Sequence, residues 1–206
     1  MAANFSPMMW LFRISFNILI AVFSINTALC GAALAQSAPA APSEEAASDA
    51  RLASLLSELQ TPVLPDWERV EAEILNLWSR SGSPAMDLLL RRGRQAMARG
   101  DYPAALTHLT ALTDHVPEFA EGWNARATLF YEMGDYGPSL DDIARTLALN
   151  PNHFGALTGL GMIMEQVEAY SHALDAFRAA RAIHPHRPDL EQAVERLERQ
   201  LEGISL

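Results

Sequence analysis

The sequence contains no lysine, so every one of its 15 Lys+Arg residues is an arginine. That absence removes the P-loop lysine, the Schiff-base lysine and the kinase lysine together. Cysteine is almost missing as well, with Cys30 the single one. One cysteine forms no internal disulfide and builds no thiolate metal site. Positive charge is scarce: 15 basic residues face 25 acidic ones, for a formal net charge of −10. All the acids follow residue 43, so the body of the chain is more acidic than its start. This balance speaks against nucleic acid or an anionic membrane surface as its partner. No segment carries the alternation of a strand, and neither His-Glu-x-x-His nor Gly-x-Ser-x-Gly occurs. What is present is enough apolar material, 50% of 206 residues, for one domain with a sizeable core.

The first 35 residues differ from the rest. Arg13 is their only charged side chain, and ISFNILIAVFSINTALCGAALA runs apolar from Ile14 to Ala33-Leu34-Ala35. The small-x-small ending predicts a signal peptide over 1–35, cut before Gln36, and hence an exported, periplasmic protein. The run also approaches the ~20 residues that span a bilayer, so an uncleaved N-terminal membrane anchor is the alternative. Arginine in place of lysine, with abundant alanine, fits GC-rich bacterial coding. Residues 36–48, rich in Ala, Pro and Ser, are expected to form a flexible linker.

Beyond the linker the chain repeats. Tyr102 recurs as Tyr136 and Tyr170, Pro117 as Pro151 and Pro185, and Gly93 as Ala127 and Gly161, each at an interval of 34 residues. That is the period of the tetratricopeptide repeat. Residues 86–119, 120–153 and 154–187 resemble three consecutive copies. The second shows Trp123, Ala127, Phe130, Tyr136, Ile143 and Pro151; the third shows Leu157, Leu160, Gly161, Tyr170, Ala173, Phe177, Ala180 and Pro185. The first is more divergent, with Arg92 and Ala96 where larger apolar residues are usual.

Helical periodicity supports the same division. Each copy holds two apolar-periodic segments and is closed by a proline, and Gly-Asp-Tyr breaks the first two. The small residues Gly93, Ala127 and Gly161 are expected to face Ala105, Ser139 and Ala173 on the paired helix. Residues 188–206 keep Leu190, Ala193, Val194, Leu197 and Leu201 on one side and charges on the other, a C-terminal capping helix. Residues 49–85 read as a degenerate N-terminal helical hairpin, with Leu52, Leu55, Leu56 and Leu59 facing Val70, Ile74, Leu75 and Trp78. The expected fold is an all-α helical-hairpin solenoid.

Three glycines in HFGALTGLG (His153 to Gly161) suggest a phosphate loop in isolation, but neither a preceding strand nor a lysine accompanies them. In register they belong to the first helix of the third repeat. The six histidines are scattered: His108 and His115 are seven apart, and His184 and His186 flank Pro185 in what reads as a solvated corner. No metal or other cofactor is expected. Asp141 and Asp142 near a helix start read as complements to its dipole.

What the resemblance implies is a protein or peptide partner held in the concave groove, without catalysis. Carrying the family's groove positions over singles out Arg91, Arg94, Met97, Asn124, Thr128, Tyr131, Thr158 and Met162. Met97, Tyr131 and Met162 would supply apolar contact, and Arg91, Arg94 and Asn124 polar anchoring. Some members clamp a C-terminal carboxylate with basic residues in the third repeat; Gly155 and Gly159 stand there instead, so that clamp is incomplete. A membrane-tethered, self-associating structural protein and an enzyme with its site in the groove are the rival readings.

Overall fold

The computed structural model describes residues 43–204. The expected signal peptide and residues 36–42 of the expected linker lie outside the described residues. Among the described residues there are nine helices and no strand: α1 (Glu44–Leu59), α2 (Trp67–Trp78), α3 (Pro84–Ala98), α4 (Tyr102–His115), α5 (Ala120–Met133), α6 (Tyr136–Leu149), α7 (Phe154–Gln166), α8 (Tyr170–Ile183) and α9 (Pro188–Ile204). None is long and apolar enough to cross a membrane.

Local chemistry sets the helix ends. The Asp101 carboxylate accepts the Ala104 N–H at the start of α4, and Pro103 occupies its first turn, where a missing N–H is harmless. Gly100 (φ +72°) and Gly134 (φ +79°) supply the left-handed turns between paired helices. The third repeat has no glycine there, and Glu168 takes the same conformation at φ +59°. At the N-terminus, Ser43 Oγ accepts the Ala46 N–H, and Glu44 and Glu45 complement the dipole. Helix α1 therefore begins at Glu44, inside the segment expected to be linker up to residue 48.

Helices pair as α3–α4, α5–α6 and α7–α8, and α9 lies on α8. The small residue at the eighth position of each repeat is in close contact, but mainly with the twenty-fourth rather than the twentieth. A Cβ on Gly93 would stand 2.5 Å from the Leu109 side chain, and one on Gly161 2.8 Å from the Phe177 ring. In repeat two, Ala127 and Ile143 share one buried cluster, and Ser139 Oγ donates to the Ala127 carbonyl at 2.8 Å. Leu190, Ala193, Val194 and Leu197 of α9 bury against Ala173, Leu174, Phe177 and Ala180, closing the array.

Two sequence expectations change here. Asp142 is not a solvated helix-start acid: it is buried, and Arg126 donates to both its oxygens at 2.7 and 2.9 Å. Arg126 also donates to Thr113 and lies over the Trp123 ring, joining repeats one and two. Leu75, expected to pack inward, is 40% exposed. The inward side of the N-terminal hairpin is Leu55, Leu59, Val70, Ile74 and Trp78.

The hairpin does not form a fourth layer on repeat one. Its core continues into Phe154 at the start of α7 and Ile183 at the end of α8. Helix α2 runs from His184 at the α8–α9 corner past the start of α7 to the start of α5.

Candidate functional site

The first helices of the repeats, α3, α5 and α7, lie side by side. Between α5 and α7 lies a cavity of about 330 Å³. Five of the expected groove residues line it: Asn124, Thr128 and Tyr131 from α5, and Thr158 and Met162 from α7. Its floor is apolar, with Ala127, Ile143, Ala156 and Ile163, and Glu132 and Arg187 also border it.

The threonine hydroxyls in the lining are already engaged. Thr128 Oγ1 donates to the Asn124 carbonyl at 3.0 Å, and Thr158 Oγ1 to the Phe154 carbonyl at 2.8 Å. Tyr131 packs against Tyr136 at 5.8 Å between ring centroids. Gly155 and Gly159 widen the space. A Cβ on Gly159 would make only ordinary contact, 3.6 Å from Ile143, so helix packing does not require that glycine. The room it leaves belongs to the cavity.

Arg91, Arg94 and Met97 do not line this cavity. Met97 packs on the repeat-one core around Leu90 and Leu109. Arg91 is exposed and forms no hydrogen bond or ion pair among the described residues. Arg94 is held by Glu121 and also donates to Ser79 Oγ at 3.1 Å, so it is not a free anchor.

Glu121 is the centre of a polar knot. It is 4% exposed, with one oxygen taken by Arg94 and by Asn124 Nδ2 at 3.3 Å, and the other 2.8 Å from His153 Nε2. His153 Nδ1 accepts the Ala156 N–H at 3.1 Å, capping α7. The ring proton is thereby fixed on Nε2, which donates to Glu121. Burial alone would raise the Glu121 carboxyl, but the His153 hydrogen bond, the Arg94 charge and the Asn124 amide together hold it below the usual carboxylate range. The Trp78 ring stacks on His153 at 4.6 Å, and a second cavity of about 310 Å³ runs between α2 and the start of α5. Catalytic use of this pair is opposed by its geometry, since both imidazole nitrogens are engaged in structural bonds.

The solvated corner expected at His184-Pro185-His186 is different in the structure. His184 is 0% exposed, with Trp67 edge-on at 5.2 Å and Phe154 at 5.1 Å. His186 Nε2 lies 2.9 Å from the Thr61 carbonyl. No three His, Cys, Asp or Glu side chains among the described residues converge to hold a metal ion.

Residues 90–137 and 124–188 match the family described as tetratricopeptide repeat. Over 154 residues the chain is 34% identical to a TPR repeat-containing protein of Rhizobium etli, covering 74% of this chain and 76% of that protein. It is 28% identical over 119 residues to a Bos taurus protein described as an SGT1 homolog, covering 58% of this chain and 35% of that one. The Sgt2 TPR domain from Aspergillus fumigatus superposes with a TM-score of 0.56 at 21% identity, over 60% of this chain and 83% of that one. The first TPR domain of Spaghetti (RPAP3), bound to the HSP90 peptide SRMEEVD, gives 0.55 at 16% identity, over 57% and 93%. These structural likenesses establish the fold.

Proposed function

The chain belongs to the tetratricopeptide repeat family, and on that premise we propose that it is a non-catalytic interaction scaffold that holds a peptide segment of another protein in the α5–α7 cavity. The observation that carries this reading is the cavity itself. It is concave and apolar-floored, its threonine hydroxyls are bonded to their own helices, and Gly159 leaves room that packing does not need. Such a surface recognises shape and apolar side chains.

A peptide-bound relative of the same fold, the RPAP3 domain with its HSP90 peptide, supports the binding class. The recognition chemistry here is different from a clamp on a terminal carboxylate. Arg94 is neutralised by Glu121, and Gly155 and Gly159 place no charge on the α7 side. The segment held is therefore an apolar one, seated on Tyr131 and Met162, with its backbone close to the glycines. The setting in this proposal is the periplasm, which rests on the Ala33-Leu34-Ala35 ending.

Filling the cavity tests the reading. Partners captured from the native envelope by the wild-type chain should be lost with Thr158→Trp while helicity is kept. Recovery of the same partners by the filled variant would defeat it. N-terminal sequencing addresses the setting: a mature start at Gln36 supports export and release, whereas retention of residues 1–35 supports the anchor.

A further inference from the structure

Positive charge is unevenly placed in this chain. Residues 80–99 hold Arg80, Arg91, Arg92, Arg94 and Arg99 against Asp87 alone, in a sequence of net charge −10. Elsewhere among the described residues every arginine but Arg145 is paired with a carboxylate. Arg145 lies over the Trp123 ring instead. On α3 only Arg94 is paired. Arg91, Arg92 and Arg99 are exposed and form no hydrogen bond or ion pair among the described residues. Free positive charge is therefore concentrated on one helix.

The helical period gathers it on one face. Leu88, Arg92, Gln95 and Arg99 follow at intervals of four, three and four residues and form a single stripe, with Arg91 beside it. All of them are exposed, Leu88 at 38%. The buried residues of α3, Leu90, Gly93 and Ala96, lie on a different side, toward α4 and α5.

The complementary charge is present on the same chain. Helix α1 has 16 residues against 12 in α2, and it runs about one turn past its partner. None of residues 44–51 is buried, and the first buried side chain of α1 is Leu55. Glu44, Glu45 and Asp49 in this stretch are exposed and have no side-chain hydrogen bond or ion pair among the described residues. Arg51, the one cation near them, is taken by Glu73 at 2.7 Å. Two helical turns with so little packing are marginal by themselves, so a docked position stabilises them.

We propose that the exposed face of α3 binds the first two turns of α1 from a second copy of this chain. Glu45 and Asp49 stand one turn apart, Arg92 and Arg99 two turns apart, and the long arginine side chains close the difference while meeting each carboxylate through parallel N–H donors. Leu88 packs on Ala46, Ala47 and Ala50, whose small side chains let the helices approach. A second copy is the occupant because the complement is helical, without a partner of its own and present in equal number to the face it fits. Each exposed ion pair is weak and screened, so the association is a weak and salt-sensitive one. No residue of α3 lines the α5–α7 cavity, so this surface is separate from that site and its use does not depend on the cavity being occupied.

Photocrosslinking of the full-length chain in its native host tests the contact. A crosslinker in place of Gln95, between Arg92 and Arg99, should give an adduct of twice the chain mass, which peptide mass spectrometry maps to residues 44–51 of the second copy. Glu45→Arg/Asp49→Arg in every copy should lower its yield at least about tenfold, and Glu45→Asp/Asp49→Glu should keep it. Supplying a copy with a wild-type α1 and its own face reversed by Arg92→Glu/Arg99→Glu should restore the adduct. If the α1 variant fails to accumulate, Arg92→Glu/Arg99→Glu in the crosslinker-bearing copy must abolish the adduct, and its persistence would overturn the proposal. An adduct that maps to another segment, one that survives reversal of the α1 acids, or no adduct between copies would also overturn it. A discrete adduct with a different protein alone would do the same, in favour of an acidic partner as the occupant.

Discussion

Glu121 and His153 stand 32 residues apart in sequence and 2.8 Å apart in space, both buried, and their bond ties the start of α5 to the start of α7. The pair sets the spacing of the two helices whose facing sides form the cavity. The ionised form of Glu121 is the one this knot stabilises, because its folded pKa is depressed. Its contribution is therefore complete above the ordinary carboxylate value of 4.5 and is lost as pH falls through the lower folded value. Glu121→Gln should lower stability at neutral pH by about 1–3 kcal/mol, and the gap to wild type should close in acid. Urea midpoints for both chains between about pH 6 and about pH 3 check this, and a constant gap would show that Glu121 is not held as the anion.

Arg94 and Arg91 sit one turn apart on α3 but should respond differently to charge reversal. Arg94→Glu places a carboxylate against buried Glu121 and should destabilise by about 1–3 kcal/mol. Arg91→Glu, on an exposed side chain without an ion pair, should stay within about 0.5 kcal/mol of wild type. Thermal melts of the two single variants separate them, and equal shifts would contradict the assignment of Arg94 to the knot.

The glycines of α7 divide into one that packs and one that leaves space. Gly161→Leu should drive Phe177 out of place and destabilise by about 1–3 kcal/mol, since even a Cβ there would stand 2.8 Å from the ring. Gly159→Ala should be neutral or stabilise by up to about 1 kcal/mol through helix propensity. Melting temperatures that rank the two in the opposite order would refute the register.

Glu168 holds φ +59° where the other two repeats use glycine. Glu168→Gly should relieve about 1 kcal/mol of left-handed strain, less the greater freedom glycine gives the unfolded chain. Denaturant midpoints should show a net gain for Glu168→Gly and no gain for Glu168→Ala. A loss with glycine would mean the turn is not strained.

Repeat architecture was legible in the sequence because its determinants are local and recur. Prolines end helices by lacking an N–H, tyrosines and small residues recur at 34, and three copies reinforce one register. Five of the eight residues singled out by that register line one cavity. What was not legible depends on side chains meeting over long separations. Nothing near Asp142 in sequence signals that Arg126 will reach it, and nothing near His184 signals Trp67, over a hundred residues away. The docking of the N-terminal hairpin is of this kind: its helices are periodic, but its seat is written in Phe154, Ile183 and the histidines of other repeats. The Arg94–Glu121 pair was hidden for the same reason, because the two residues lie 27 positions apart on separate helices.

The central claim is that a partner segment lies in the α5–α7 cavity, and site-specific photocrosslinking in the native envelope tests it most directly. A crosslinker in place of Thr158 faces the cavity, and one in place of Arg145 lies on exposed α6 beside Trp123. The account predicts a discrete protein adduct from Thr158 that disappears when Gly159→Trp fills the space, and no such adduct from Arg145. Equal adducts from both positions, or none from Thr158 in a folded and exported chain, would contradict it.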